Sequence, residues 1–174
     1  MKKIHPRFLL ATCLSFGVFA ALGCGSGRNE QPAEPKPKVS VDFQFSSSRY
    51  DLGRDEQRGG HTLDRHVART DDQLRERLAR ERNISAASTW TDRDTAEIVV
   101  SEALANERSR VDGWMRRGYP RANLALHYDA GRIIGRSLRR GDAQPVNCTS
   151  AVIVLRADKP EDFYVLTAYP EARE

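Results

Sequence analysis

The three cysteines of this 174-residue chain place the tightest limit on how it can fold. Cys13 lies inside an apolar run, Phe8 to Leu22, and Cys24 follows shortly after that run. An apolar run of about 15 residues behind a basic N-terminus is typical of a cleaved signal peptide, since a membrane-spanning helix takes ~20. If Cys24 is also consumed by modification, Cys148 is the one cysteine left, and it has no partner for an internal disulfide. The exported domain then has to be stabilised by its hydrophobic core.

The end of the apolar run resembles a bacterial lipobox. Small and apolar residues at 21–23 directly precede Cys24. The resemblance implies cleavage before Cys24 and acylation of its thiol, so that residues 1–23 are a lipoprotein signal peptide. A plain secretory signal is the alternative, because Leu is more usual than Ala at position 21. Gly25 stands where Asp would signal retention at the inner membrane in enteric bacteria, which favours the outer membrane.

The overall charge gives no support for a nucleic-acid partner. Loss of Lys2, Lys3 and Arg7 with the signal peptide lowers the formal net charge from +4 to +1. A nearly neutral chain has no long-range attraction for RNA or DNA. A nuclease function therefore has to be argued from particular residues.

The part of the chain that follows the signal peptide divides into a tether and one folded domain. Residues 25–38 are polar and rich in proline, which predicts an extended, disordered segment. Apolar residues then alternate with polar ones over 39–45, which indicates a short strand. We assign residues 24–57 to a mostly disordered tether with this short strand, and residues 58–174 to the domain, with the boundary near the glycine pair at 59–60.

The first half of the domain has helical patterns. Residues 61–68 predict a short helix. Thr70 and Gln73 form a capping-box pattern at the start of a second helix, over about 71–82. Apolar residues over 96–114 recur with a helical period, which predicts one long amphipathic helix capped by Asp92 or Asp94.

The second half of the domain has strand patterns. Residues 124–128 and 132–138 flank an Asp-Ala-Gly turn and predict a β-hairpin. Two further strands are predicted at 151–155 and 163–169, the last ended by Pro170. Helices followed by strands indicate an α+β fold with an antiparallel sheet.

Two histidines lie close together at the start of the domain. A helix turns about 100° per residue, so His61 and His66 would point about 140° apart and would not act as a pair. His66 points toward the body of the domain, where it is either a core histidine held by a backbone partner or a functional group. We expect His61 to be exposed or to cap the helix. His127 lies in a predicted strand and, like His66, is either a core histidine or a functional group.

The last strand offers a second group of polar side chains. Residues two apart in a strand share a face, which places Val165, Thr167 and Tyr169 together. Ordinary β-propensity explains Thr and Tyr in a strand, and a functional hydroxyl pair is the other interpretation.

Several segments resemble the RNase A-like toxin domains found at the C-termini of contact-dependent growth inhibition proteins. The segments are GGHTLDRHV at 59–67, TD at 70–71, ISAASTWTD at 84–92, TAE at 95–97, YDAGRIIG at 128–135 and YVLTAYP at 164–170. They occur in the same order as in that family and together cover about 58–170. The resemblance implies an RNase A-like α+β fold, here without the disulfides of the animal enzymes.

The resemblance also implies an active site of His66, Arg77, Thr167 and Tyr169. RNA carries its own nucleophile, the 2′-hydroxyl. A catalyst therefore needs a base, a proton donor for the leaving oxygen, and positive charge or hydrogen-bond donors that stabilise the phosphorane. A histidine suits proton transfer near neutral pH, and an arginine can hold two phosphate oxygens. Only one histidine matches the family site, so the general acid stays unassigned, and no metal or other cofactor is implied.

The leading hypothesis is a metal-independent, monomeric endoribonuclease that forms 2′,3′-cyclic phosphate ends and acts as an interbacterial toxin. Its expected partners are an RNA substrate, with tRNA among the candidates, a cognate immunity protein, and a membrane only through the lipid anchor. The alternative is a non-catalytic surface lipoprotein that uses the same fold as a binding module, with residues 39–45 as its docking strand. Such a module would tolerate loss of His66 or Arg77. An immunity-type protein is a third and weaker alternative.

Overall fold

The computed structural model describes residues 49–173, which form five helices and six strands. Our predictions for the signal peptide, for lipidation at Cys24 and for the strand at 39–45 lie outside these residues. None of the described helices is long and apolar enough to cross a bilayer. The helices are α1 (Leu52–Glu56), α2 (Thr62–His66), α3 (Asp71–Arg80), α4 (Arg93–Asn106) and α5 (Arg108–Met115). The strands are β1 (Ala86–Trp90), β2 (Leu124–Asp129), β3 (Gly135–Arg139), β4 (Val146–Cys148), β5 (Ser150–Lys159) and β6 (Asp162–Glu171).

The strands form two antiparallel sheets of three strands each, in the orders β1-β3-β4 and β2-β5-β6. Helices packed on antiparallel sheets confirm the predicted α+β class. Cys148 is free and buried, and no disulfide joins the elements within residues 49–173. These elements are therefore held together by packing and hydrogen bonds.

The main hydrophobic core joins α1, α4 and α5 to both sheets, while α3 packs with β1 and β3 in a second, smaller cluster. Leu104 of α4, Leu126 of β2 and Ile153 of β5 are fully buried in it. Trp90 of β1 is also fully buried, and its indole N–H donates a hydrogen bond to the carbonyl oxygen of Ala168 in β6 at 2.9 Å. Burying a large apolar side chain contributes about 1.5–3 kcal/mol. Because the Trp90 bond links one sheet to the other, it also fixes where the end of β6 lies.

Two helix starts were predicted from their caps, and both are confirmed. Thr70 Oγ1 accepts a hydrogen bond from the backbone N–H of Gln73 at 3.2 Å, and Gln73 Oε1 accepts one from the backbone N–H of Thr70 at 2.9 Å. Asp92 caps α4 by accepting from the backbone N–H of Thr95 at 2.7 Å. These bonds satisfy N–H groups that have no partner inside a helix.

The single long helix that we predicted is wrong, because the chain breaks into α4 and α5 at Glu107. That residue has φ −94° and ψ 17°, outside the helical region. The buried side chains of α4 end at Leu104, and those of α5 begin at Val111. Residues 105–110 bury no side chain, so no packing holds the helix straight across them.

The predicted hairpin of residues 124–138 is also wrong. β2 pairs with β5, whereas β3 pairs with β1 and β4, so the two strands belong to different sheets. The connecting segment crosses between the sheets, with the N–H of Ala130 donating to Thr149 and that of Ile134 donating to Cys148, each at 2.9 Å. Ile134 is fully buried in the core. The Asp-Ala-Gly segment does turn the chain, since Asp129 Oδ1 accepts from the N–H of Gly131 at 3.0 Å and Gly131 has φ +64°, but the turn leads into the other sheet.

The folded region begins earlier than the boundary we placed at residue 58. Leu52 of α1 is buried in the main core, and Asp55 is as fully buried. The Asp55 carboxylate accepts hydrogen bonds from the Tyr50 hydroxyl at 2.7 Å and from the backbone N–H of Val165 in β6 at 2.6 Å. Residues 50–57 therefore belong to the fold and not to a tether. A single apolar residue among polar ones has no periodicity that would reveal this in the sequence.

Candidate active site

A cavity of about 560 Å³ opens where α2 and α3 meet the end of β6 and the strands β1 and β3. The four side chains that the family resemblance implied all line it: His66 from α2, Arg77 from α3, and Thr167 and Tyr169 from β6. Residues far apart in sequence thus converge on one space. A cavity of this size is in the range that small-molecule and nucleotide ligands occupy.

His66 is buried and held by the backbone, as expected of a core histidine, yet its ring also lines the cavity. Its Nδ1 lies 3.2 Å from the carbonyl oxygen of Ser88. A carbonyl oxygen only accepts, so Nδ1 carries the proton and the neutral ring has its lone pair on Nε2. Burial, helped by the positive charge of Arg77, lowers the pKa of His66 to about 3. The ring is therefore neutral at physiological pH, and in the absence of a bound anion it resists protonation.

Thr167 and Tyr169 meet the cavity in different ways. The Thr167 hydroxyl oxygen is buried and has no hydrogen-bond partner among the described residues. A buried hydroxyl without a partner costs about 1–3 kcal/mol, and at the cavity wall this one is within reach of a water or a ligand as its partner. The Tyr169 ring stacks on His66, and burial, followed by the charge of Glu171, raises the pKa of its phenol.

A β-bulge decides which way the end of β6 faces. Val154 pairs with Thr167 and Leu155 pairs with Val165, so Leu166 has no partner on β5. The extra residue shifts the alternation of faces, so Val165 is fully buried in the core while Thr167 lines the cavity. Our prediction that Val165 shares the face of Thr167 and Tyr169 is therefore wrong.

Arg77 reaches the cavity from the middle of α3. Its Nε donates to Glu81 Oε2 at 3.3 Å, and one terminal nitrogen donates to the carbonyl oxygen of Arg65 at 3.4 Å. The side chain is only 16% exposed. A guanidinium has five N–H donors in a planar fork, so donors remain for an anion after these two bonds.

His61 lines the same cavity as His66, against our expectation that the two would face different sides. It is the N-cap of α2, with φ −150° and ψ 30°, so the helical angle between the two residues does not apply. Its side chain makes no capping hydrogen bond. Burial and the nearby Arg65 lower the pKa of its ring. His127, in contrast, is exposed on β2 and pairs with Glu171 at 3.4 Å.

The cavity wall contains further polar residues that were not predicted from the sequence. Ser88 and Ser137 face each other across β1 and β3 and are both buried at the cavity. Arg139 of β3 also lines the cavity. Only the pairing of β1 with β3 would have indicated them, and the false hairpin assigned β3 to another partner.

The chemistry of the cavity suits an anion that also carries a removable proton. Two guanidinium groups, Arg77 and Arg139, face one carboxylate, Glu171, among the lining residues. Hydroxyls and a neutral imidazole with a free lone pair complete the wall. Within residues 49–173 no group of His, Cys, Asp and Glu side chains is arranged to hold a metal ion.

Comparison with known proteins gives two matches. The sequence profile described as the bacterial CdiA-CT RNase A domain matches residues 60–170. The crystal structure of a CdiA-CT/CdiI complex from Y. kristensenii 33638 contains a chain that is 33% identical, with a TM-score of 0.59. The match covers 65% of the present chain and 100% of that chain. No curated protein matches the sequence.

Proposed function

The chain belongs to the family of bacterial CdiA-CT RNase A domains, and on that basis we propose that it is an endoribonuclease that cleaves RNA through the 2′-hydroxyl, without a metal ion. The observation that carries the proposal is the convergence of His66, Arg77, Thr167 and Tyr169 on one cavity. Together these four side chains provide a proton acceptor, a fixed positive charge and two hydroxyls.

We assign each side chain a role in the proposed reaction. His66 Nε2 removes the proton from the 2′-hydroxyl, because Nδ1 is already held by Ser88. Arg77 binds two non-bridging phosphate oxygens and stabilises the charge that develops on phosphorus. The unpartnered Thr167 hydroxyl donates to a phosphate oxygen, and Tyr169 hydrogen-bonds the substrate or stacks on a base. The products are a 2′,3′-cyclic phosphate and a free 5′-hydroxyl.

Cleavage of total RNA in the presence of EDTA tests this proposal directly. The purified chain beginning at Arg49 should degrade RNA with excess EDTA present and leave 2′,3′-cyclic phosphate ends. His66→Ala should abolish cleavage while the circular dichroism spectrum stays that of the folded protein. Intact RNA with a correctly folded wild-type protein would contradict the nuclease function. Purified single tRNAs, compared with ribosomal RNA fragments, would identify the preferred substrate.

We further propose that the protein acts as an interbacterial toxin with a cognate immunity protein. The structural neighbour was crystallised as a complex with a CdiI protein, which supports a partner of that kind here. Expression of residues 49–174 in the bacterial cytoplasm should arrest growth, and co-expression of a small acidic protein encoded next to this chain should restore it. Growth that is unaffected by the wild type and by the His66→Ala variant alike would contradict the toxin role.

We also propose that the toxin domain is exported as a lipoprotein and reaches the cell envelope, favouring the outer membrane. The support is the sequence pattern that ends at Cys24. Metabolic labelling with a palmitate analogue should label the wild-type protein, and Cys24→Ala should abolish the label. Labelling that persists in Cys24→Ala would contradict acylation at this position. Cys13→Ala is the matched control and should keep the label.

A further inference from the structure

The glycine pair before α2, Gly59 and Gly60, lets the chain place His61 next to the end of β6. Gly59 has φ +99°, a conformation that side chains disfavour, and a Cβ on Gly60 would lie 2.8 Å from the carbonyl oxygens of Asp55 and Val165. Only glycine at both positions lets the chain pass this closely. The glycine pair therefore places the backbone of His61 directly beside the bulge of β6.

Two hydrogen bonds then fix the backbone of residues 61–62 relative to Thr167. The N–H of His61 donates to the carbonyl oxygen of Leu166 at 3.0 Å. The adjacent Thr62 hydroxyl accepts from the N–H of Ala168 at 2.8 Å. These bonds hold the residues on either side of Thr167, so the backbone of His61 lies beside Thr167 at the edge of the cavity.

The His61 ring has no structural task that would account for its place in the cavity. It is half-buried, it lines the same cavity as His66, and it makes no capping hydrogen bond to α2. The Gly59 backbone favours the protonated form of the ring. An imidazole at a cavity wall can take up and release a proton near neutral pH.

The reaction proposed above still lacks a proton donor for the leaving 5′-oxygen. His66 serves as the proton acceptor, because its buried ring is neutral and Nδ1 is bound to Ser88. Arg77 does not release its proton at physiological pH. The raised pKa of Tyr169 makes its phenol a weaker acid than in water. A group with a pKa nearer to neutrality is the better donor.

We propose that His61 is a catalytic residue and acts as the general acid of this site, an inference that rests on the proposed ribonuclease function. In the first step the 2′-oxygen bonds to phosphorus and its proton passes to His66 Nε2. The bond between phosphorus and the 5′-oxygen breaks, and the 5′-oxygen takes a proton from the His61 imidazolium. His66 leaves the step protonated and His61 neutral, and both return to their starting states by proton exchange with water.

A phosphate bound in the cavity should raise the pKa of His61. Burial, Arg65 and Arg77 lower its pKa, whereas Glu56 and the Gly59 backbone raise it. A phosphodiester anion bound at Arg77 would neutralise one of these repulsive charges. The protonated ring is thereby favoured when substrate is present.

A change of leaving group separates acid catalysis from any other role of His61. The full-length mature chain, wild type and His61→Ala, is assayed on a short RNA and on nucleoside 3′-(4-nitrophenyl phosphates) of all four bases. The 5′-oxygen of RNA needs a proton as it leaves, but 4-nitrophenolate does not. We expect His61→Ala to lower kcat on RNA by about 10²–10⁴-fold and to change cleavage of the aryl substrate by less than about tenfold. His66→Ala should impair both substrates.

Several results would overturn the assignment. Equal losses on both substrates would show that His61 binds substrate or supports the fold, and wild-type rates on RNA would show that it has no role. A loss confined to RNA in Tyr169→Phe, with His61→Ala unaffected, would make Tyr169 the acid. Added imidazole should restore RNA cleavage by His61→Ala, and a folded variant that imidazole does not rescue contradicts the proposal. A folded wild type inactive on both substrates would instead refute the ribonuclease function.

Discussion

The ring of Tyr169 stacks on the ring of His66, with the centroids 5.4 Å apart and the planes 30° from parallel. This contact joins the C-terminal strand β6 to the last residue of α2. Burial is the largest cause of the lowered pKa of His66, and the phenol ring covers part of the imidazole. The tyrosine therefore has two separable properties, a hydroxyl on a residue that lines the cavity and a ring that covers part of the histidine.

Substitutions at Tyr169 should separate these two properties. Tyr169→Phe keeps the ring, so we expect His66 to stay neutral well below pH 6 while RNA cleavage slows. Tyr169→Ala removes the ring, so the pKa of His66 should rise toward the ordinary value of about 6.5. NMR titration of the histidine ring protons measures both effects. The same His66 pKa in the two variants would show that the stack does not control its protonation.

Thr167→Val should reduce activity without reducing stability. The Thr167 hydroxyl is buried without a partner, so replacing it with a methyl group removes a desolvation cost of about 1–3 kcal/mol and leaves the shape of the side chain unchanged. We expect a free energy of unfolding equal to or above that of the wild type, and kcat/KM on RNA lowered by at least about tenfold, as for loss of one hydrogen bond to a charged group.

Thr89→Val is the matched control for that substitution. The Thr89 hydroxyl is also buried, but it accepts from the N–H of Arg69 at 2.8 Å and donates to the carbonyl oxygen of Trp90 at 3.0 Å. The valine there leaves these groups unpaired and should destabilise the protein by about 1–3 kcal/mol. Equal urea midpoints for the two variants would argue that the Thr167 hydroxyl has a hydrogen-bond partner in solution.

The stability of the protein should fall as the pH is lowered from about 6.5 toward 3. The pKa of His66 is about 3 in the folded protein, since burial and the charges of Arg77, His61 and Arg65 all oppose protonation. Below pH 6.5 the unfolded chain binds a proton at this residue that the folded chain does not, so acid favours unfolding. Between pH 7 and pH 5 this residue alone should remove about 2 kcal/mol.

The His66→Gln variant isolates that contribution. Urea unfolding of wild type and variant at pH 7 and pH 5 gives the difference between their losses. Other groups, including His61, titrate in both proteins and cancel in that difference. A loss that is as large in His66→Gln as in the wild type would mean that His66 does not resist protonation in the folded state.

The sequence predicted the elements of this fold better than their connections. The caps at Thr70 and Asp92 and the strands within β5 and β6 depend on neighbouring residues, and local patterns report these reliably. The division of β2 and β3 between two sheets depends on the burial of Ile134, which a turn sequence does not reveal. The break at Glu107 likewise follows from a lack of packing.

The site was predictable only where a family resemblance supplied the residues. Periodicity alone placed His61 and His66 on different sides and put Val165 on the face of Thr167. Both errors come from assuming regular geometry where the chain departs from it, at the helix N-cap and at the β-bulge. Departures of this kind are common at functional sites, because they re-aim individual side chains.

Arg77→Lys should lower activity although it keeps the positive charge. A lysine places one charge on a flexible chain and cannot bind two phosphate oxygens with a planar fork. We expect kcat/KM on RNA to fall by about 10–100-fold, the effect of losing a charge-assisted hydrogen bond of 1.5–3 kcal/mol. Arg80→Lys, one turn along α3 and outside the cavity lining, is the control and should keep wild-type activity. Equal effects of both substitutions would refute a specific role for Arg77.

A chain that begins at Arg58 should be much less stable than one that begins at Arg49. The shorter chain loses the buried Leu52 and the Asp55 carboxylate, which accepts from the N–H of Val165 beside the β6 bulge. Lost burial and a lost charge-assisted hydrogen bond together should lower the free energy of unfolding by about 3–5 kcal/mol. Urea denaturation of the two chains measures it, and coinciding midpoints would restore the domain boundary at residue 58. Asp55→Ala in the longer chain should reproduce the hydrogen-bond part of the loss. It should also slow RNA cleavage, because the same bulge turns Thr167 toward the cavity.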